Sequence, residues 1–159
     1  MTAATRTSLP TIGSAAPDFT LKSTADRDVS LASFRGKQHV LLAFFPLAFT
    51  STCTTEMQAF TNDILEFEKR GTAVLPISVD STATLKEFKA KWKMPFELLS
   101  DFKRTVSRQY GVLNDEKFYA NRAYVLIDRD GIVRWTWQET NNSDRRENAE
   151  LLEALGRLR

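Results

Sequence analysis

The chain has 159 residues and nearly balanced charge, with 22 lysines and arginines against 20 aspartates and glutamates. This length predicts one domain with a single core, spanning residues 1–159, and we expect residues 1–9 to be flexible. A net charge of +2 excludes a strong electrostatic argument for a nucleic-acid or anionic-membrane partner. The N-terminus has no apolar signal segment, and no apolar run reaches about 18 residues. We therefore predict a cytoplasmic protein with no nucleic-acid or membrane partner.

Strand and helix patterns alternate along the first half of the chain, which indicates an α/β domain. Residues 39–45 (HVLLAFF) are apolar throughout, as expected for a strand covered on both faces. From Cys53 to Arg70, apolar side chains recur at helical spacing, and Gly71 follows where a helix would end.

The rest of the chain continues the alternation and predicts six further segments. They are a strand at 73–80, a helix from Asp80 or Ser81 to about Lys93, a short strand at 96–101, a helix that ends at Gly111, a hairpin at 121–137 and a final helix at about 143–158. Pro76 predicts a bulge or local edge in the first of these strands, and Ser100 or Asp101 would cap the helix that ends at Gly111. The hairpin would turn at Asp130-Gly131. Trp135 and Trp137 share a strand face in this hairpin, where their rings belong either in the core or in a subunit interface; we favour the core.

The single cysteine, Cys53, lies between a predicted strand and the start of a predicted helix. Unpaired amides and the positive end of the helix dipole stabilise a thiolate at such a position. A buried and inert cysteine is the other interpretation of a lone sulfur. Four hydroxyl residues surround it, which is unusual for an apolar packing site; they are Thr50, Ser51, Thr52 and Thr54. We therefore favour a reactive cysteine.

The segment around Cys53 resembles the active-site loop of the peroxiredoxins, the alkyl hydroperoxide reductase and thiol-specific antioxidant family. Pro46, Thr50 and Cys53 stand in that family's PxxxTxxC spacing, within the longer string FFPLAFTSTCTTE. The strings GSAAPDFTL and VSLASFRGK upstream, and NRAYVLIDRDGIVRW downstream, are similar to the family in the expected order. The resemblance implies a thioredoxin-like α/β fold with a central mixed β-sheet flanked by α-helices.

The resemblance also implies a role for each residue of the site. Cys53 would be the peroxidatic cysteine, Thr50 would offer a hydroxyl to the peroxide, and Pro46 would shield the thiolate from water. Arg122 would hold the thiolate and the peroxide together, and Glu56 would support that arginine. The implied reaction is reduction of hydrogen peroxide and small organic hydroperoxides, with no metal, haem, flavin or other cofactor.

The cysteine count predicts how the oxidised enzyme is reduced. Attack on a peroxide leaves a sulfenic acid, which condenses with a thiol. Gln58 stands where some relatives carry a resolving cysteine, so the chain resembles one-cysteine members of the alkyl hydroperoxide reductase E or bacterioferritin comigratory protein type. The thiol must then be external: a low-molecular-weight thiol, a glutaredoxin-like or mycoredoxin-like protein, or thioredoxin. Family behaviour further implies a homodimer.

Two other functions remain open at this stage. A redox sensor or adaptor would pass oxidation of Cys53 to a client protein through a mixed disulfide. A noncatalytic interaction module would use Cys53 only for packing. His39 is the single histidine and opens a buried strand, so we expect a structural role for it and no metal site of soft ligands.

Overall fold

A seven-stranded mixed sheet forms the centre of the computed structural model, which describes residues 8–158. Its strands are β1 (Thr20–Ser23), β2 (Asp28–Ser30), β3 (His39–Phe44), β4 (Thr72–Ser78), β5 (Leu99–Ser100), β8 (Ala123–Ile127) and β9 (Val133–Gln138). Two short strands, β6 (Leu113–Asn114) and β7 (Tyr119–Ala120), pair separately. The helices are α1 (Ser51–Lys69), α2 (Thr82–Trp92), α3 (Thr105–Gln109) and α4 (Asn148–Gly156), with a 3-10 turn at Leu31–Phe34.

The strand order is β2-β1-β5-β4-β3-β8-β9. Strands β3, β4 and β5 run parallel, whereas β8 is antiparallel to β3 and β9 is antiparallel to β8. Helices cover both faces of this sheet, which confirms the predicted central mixed sheet flanked by helices. Of the segment predicted to be flexible, residues 1–7 lie outside the described residues, whereas Leu9 packs on the core.

Strand β3 is buried along its whole length because its side chains enter two cores in alternation. Leu41 and Ala43 face the core formed with α1, α2 and α4. The other face packs with α3 and the N-terminal segment, through Val40, Leu42 and Phe44. The apolar run at 39–45 therefore predicted this strand correctly.

The sheet register brings two distant parts of the chain together at the carboxyl end of β3. Phe44 ends β3 and pairs with Ala123, the first residue of β8. Arg122, directly before β8, thus lies beside the loop that leads from β3 into α1. The predicted local edge at Pro76 also fits, because β4 pairs with β5 only from Ile77 onward.

Apart from small shifts of element ends, three sequence expectations differ from the structure. The helix predicted from Ser100 or Asp101 begins at Thr105, because the Asp101 carboxylate accepts from the amides of Val106 and Ser107 and so caps a later start. The last helix begins at Asn148, about five residues late.

Trp137 is the third difference, since it is 42% exposed where a core ring was expected. It lies on the edge strand β9, where the Arg146 guanidinium covers its ring at 4.6 Å from the centroid. Trp135 does pack against the helical core. No helix within residues 8–158 has both the length and the apolar character needed to cross a membrane.

Candidate active site

Cys53 lies in the first turn of α1, which begins two residues earlier than the sequence predicted. The first helical hydrogen bond runs from the amide of Thr54 to the carbonyl of Thr50, at 2.9 Å. The amide of Cys53 is therefore not used within the helix, and it lies at the positive end of the helix dipole. The residue is 1% exposed, so contact with a reactant depends on the adjacent pocket.

Arg122 joins Cys53 to the rest of the site. Its Nη2 lies 3.1 Å from Cys53 Sγ, and its Nη1 donates to Glu56 Oε1 at 2.8 Å. The Asn142 carbonyl accepts from the same Nη2 at 3.1 Å, and the Asn142 side chain accepts from the Arg122 backbone amide at 2.9 Å. The guanidinium is thus held between α1 and the loop of residues 139–147 that connects β9 to α4.

Glu56 lies one turn beyond Cys53 on α1, with its side chain 2% exposed. Its Oε2 accepts a hydrogen bond from the Tyr124 hydroxyl, which in turn accepts from the Arg146 amide at 3.1 Å. Burial raises the pKa of Glu56, although the charge of Arg122 and the Tyr124 hydrogen bond oppose the change. Burial and the nearby Glu56 charge also raise the pKa of Tyr124.

The charge of Arg122 is secured by its neighbours Glu56 and Cys53. Burial by itself would lower the pKa of Arg122, but Glu56 and Cys53 outweigh it and raise the pKa. A buried ion pair of this kind is costly to break, because the remaining partner would be left charged and without compensation. The arrangement keeps a fixed positive charge beside the sulfur.

A pocket of about 210 Å³ opens beside Cys53 and Arg122. Pro46, which is buried, and Thr50 line it from the loop before α1, and Tyr119 lines it from β7. The volume gives room for a small hydroperoxide. A larger groove of about 560 Å³ lies among β1, β5 and α3 and contains none of the predicted site residues.

The Thr50 hydroxyl donates to the Leu47 carbonyl at 2.7 Å. A hydroxyl has one proton and two acceptor lone pairs. In this conformation the Thr50 oxygen can therefore accept a hydrogen bond from a peroxide O–H, and Thr50 would have to release Leu47 in order to donate one.

The structure brings all five predicted site residues to one place. Cys53, Arg122 and Glu56 form a hydrogen-bonded line, and Pro46 and Thr50 line the adjoining pocket. His39, which was expected to be structural, lies at the opposite end of β3 with its Nε2 2.9 Å from Arg129 Nη1.

Two contacts of the site were not foreseen. Tyr124 stands two residues after Arg122, so strand periodicity would have placed both on one face of β8. Asn142 carries no such signal, because its contact depends on how the 139–147 loop folds back over the sheet.

Comparison with solved structures defines the class of protein. The fold matches reduced 2-Cys peroxiredoxin of Plasmodium vivax with a TM-score of 0.86 and 34% identity, covering 92% of this chain and 81% of that one. It matches Mycobacterium tuberculosis AhpC with a TM-score of 0.85 and 28% identity, covering 93% and 92%. The thioredoxin-like fold is thereby confirmed, and fold and site together are of the peroxiredoxin class.

Sequence comparison identifies the family. The model of the AhpC/TSA family matches residues 12–136, and the chain belongs to this family. It is 42% identical over 126 residues to alkyl hydroperoxide reductase E of Mycobacterium tuberculosis, spanning 78% of this chain and 82% of the relative. It is 41% identical over 127 residues to chloroplastic peroxiredoxin Q of Oryza sativa subsp. japonica, spanning 79% of this chain and 58% of the relative.

Proposed function

We propose that the protein is a thiol-dependent peroxidase that reduces hydrogen peroxide and small organic hydroperoxides at Cys53. The observation that carries this proposal is the 3.1 Å contact between Arg122 Nη2 and Cys53 Sγ at the wall of a pocket of about 210 Å³. A merely packed cysteine would not need a buried guanidinium beside it. The family to which the chain belongs supports the same reaction class.

In the proposed reaction, the Cys53 thiolate attacks the terminal oxygen of the hydroperoxide. The S–O bond forms as the O–O bond breaks, and the leaving oxygen departs as an alkoxide or hydroxide that takes up a proton. Arg122 and the Cys53 amide stabilise the charge on that oxygen, while the Thr50 oxygen orients the peroxide by accepting a hydrogen bond from the peroxide O–H. Pro46 limits access of water, and Glu56 orients Arg122.

The product on the enzyme is a sulfenic acid at Cys53. One external thiol condenses with it to give a mixed disulfide and water, and a second thiol releases the reduced cysteine with formation of an external disulfide. We propose that the thiol is a low-molecular-weight thiol, a glutaredoxin-like or mycoredoxin-like protein, or thioredoxin, because the chain holds no second cysteine.

The proposal extends to assembly and compartment. We propose a homodimer, and the exposed rings of Phe49, Phe102 and Phe118 supply apolar surface that such an assembly would bury. The cytosol is the proposed compartment, since its reduced thiol pool would regenerate Cys53. Light scattering on the purified protein tests the dimer, and a monomer at all concentrations would contradict it.

Peroxide consumption with a panel of these reductants tests the proposed activity, with Cys53→Ser beside the wild type. We expect the wild type to turn over with at least one thiol, to gain one oxygen atom by intact mass when no thiol is present, and to lose all activity in Cys53→Ser. Activity that survives in Cys53→Ser would refute the proposal. Oxidation of Cys53 without turnover, with trapping of one protein, would instead favour the redox sensor.

A further inference from the structure

The Tyr124 hydroxyl occupies a position that the proposed reaction does not yet use. It is buried on β8, on the same strand face as Arg122, and it contacts Glu56 on the side away from that arginine. Glu56 therefore lies between two donors, with Oε1 facing Arg122 and Oε2 facing Tyr124.

The second contact of the hydroxyl fixes the direction of its hydrogen bond. The Arg146 amide can only donate, and it does so to the Tyr124 oxygen at 3.1 Å. The single proton of the hydroxyl is therefore free to point at Glu56 Oε2. Both carboxyl oxygens of Glu56 then accept hydrogen bonds, which is the pattern that suits its ionised form.

The charged surroundings of Glu56 show why this donor matters. The titratable and charged groups that face it are Cys53 on its own helix, Arg122 directly before β8, Tyr124 on β8, and Arg145 on the 139–147 loop. The carboxylate has almost no exposure, so its charge depends on these few partners rather than on water. Removing one donor favours protonation, and a protonated Glu56 would bind Arg122 less firmly.

We propose that Tyr124 is a positioning residue of the peroxidase site, whose hydroxyl keeps Glu56 ionised and oriented so that Arg122 is presented to Cys53. This inference rests on the proposed function, because its kinetic consequence is a change in peroxide reduction. The same hydroxyl also anchors the Arg146 amide in the loop that supplies the Asn142 carbonyl to Arg122. Tyr124 thus holds two of the groups that fix the guanidinium.

The experiment compares Tyr124→Phe with the wild type across a range of pH. A hydrogen bond to a charged group changes proton affinity about tenfold, which corresponds to about one pH unit. We therefore expect the acidic limb of the rate profile for peroxide reduction to move up by about one pH unit in Tyr124→Phe. The rate constant should fall by up to about tenfold on the acidic limb and recover towards the wild-type value as the pH rises above it.

Tyr110→Phe is the matched control, because Tyr110 is equally buried in the other core and its hydroxyl donates to the Pro17 carbonyl at 2.6 Å. It should leave the pH profile unchanged even if it lowers stability. A Tyr124→Phe profile that superposes on the wild type, or that falls equally at every pH, would overturn the proposal. The same shift in Tyr110→Phe would overturn it as well.

Two further measurements keep the inference separable from the proposed activity. Carbon NMR of labelled glutamate carboxyls, with Glu56→Gln identifying the signal, should show Glu56 titrating at higher pH in Tyr124→Phe. This result is expected even if the wild type consumes no peroxide, in which case only the proposed function fails. In a Glu56→Gln background, Tyr124→Phe should add no further pH dependence, and an added shift there would show that Tyr124 does not act through Glu56.

Discussion

Replacement of Arg122 by alanine tests whether the site accelerates peroxide cleavage or merely ionises a thiol. The change removes the donor 3.1 Å from Cys53 Sγ and the partner 2.8 Å from Glu56. Loss of one preorganised donor to a developing oxyanion costs about 3 kcal/mol, or some hundredfold in rate. Separately, loss of one partner from a buried ion pair lowers the free energy of unfolding by roughly 3–5 kcal/mol. We expect a folded but weakened protein with a rate constant at least about a hundredfold lower.

Thiol ionisation cannot account for a loss of that size. For cysteines in general, a thiol with a pKa of about 8.5 is about 3% ionised at neutral pH, against about 90% for one with a pKa of about 6. The more basic thiolate is, however, roughly eighteenfold more nucleophilic on a Brønsted slope of about 0.5. The two effects nearly cancel, and a residue acting through ionisation would change the rate only about twofold.

Stopped-flow kinetics under single-turnover conditions provides the assay, with thiolate content followed by ultraviolet absorbance. Arg122→Lys is the companion variant, since it keeps the charge but lacks the planar fork that reaches Glu56 and Cys53 together. Arg134→Ala is the control, because Arg134 is exposed and pairs with Asp128 at 2.6 Å outside the site. A rate that only followed the thiolate fraction across these variants would refute the reasoning.

Three further changes have defined outcomes. Thr50→Val should slow peroxide reduction about tenfold, because it removes one neutral hydrogen bond to the peroxide, while Thr50→Ser keeps the hydroxyl and should retain most of the rate. Equal stopped-flow rates in the two variants would contradict this role. Gly111→Ala should lower the free energy of unfolding by more than about 1 kcal/mol in urea titrations, since Gly111 has a φ of +72° and an added Cβ would lie 2.1 Å from the Ser8 carbonyl. Gly156→Ala, in α4 with nothing near the new Cβ, should leave the free energy of unfolding unchanged or raise it. An equal loss of stability in the two alanine variants would exclude the clash with Ser8 as the cause. Because burial raises the pKa of Glu56, the protonated side chain contributes stability that is complete below the unfolded pKa of about 4.3 and is lost as the pH rises through the folded pKa. Glu56→Gln should therefore flatten the fall of unfolding free energy in that window, and an unchanged slope would show that other groups cause it.

The residues themselves predicted a reactive cysteine at the start of a helix, whereas the roles of Pro46, Thr50 and Glu56 came from the family resemblance. Pro46, Thr50 and Cys53 fall within eight residues, and helical spacing places Glu56 one turn beyond Cys53. Arg122 was assigned through the family resemblance, since no local pattern links it to a cysteine 69 positions earlier. The Asn142 contact could not be predicted, because it arises only when the 139–147 loop folds over the end of the sheet.

Element type was also more predictable than element boundary. The apolar run of β3 and the glycine in the turn before β9 are strong local signals, and both were correct. The start of α3 was misplaced because Asp101 caps it across several residues, with Arg104 in a left-handed conformation between them. Trp137 was misplaced because strand periodicity identifies a face of the sheet but not whether a helix covers it.

The lone, buried sulfur also makes the protein a natural reporter of its own opening. A bulky alkylating reagent can meet Cys53 only when the first turn of α1 moves away, because the residue is 1% exposed. Pulse labelling of this one thiol, quantified by mass spectrometry, would therefore measure how often that turn opens, without any engineered probe. Comparing that frequency with global unfolding would show whether the turn opens independently of the rest of the molecule.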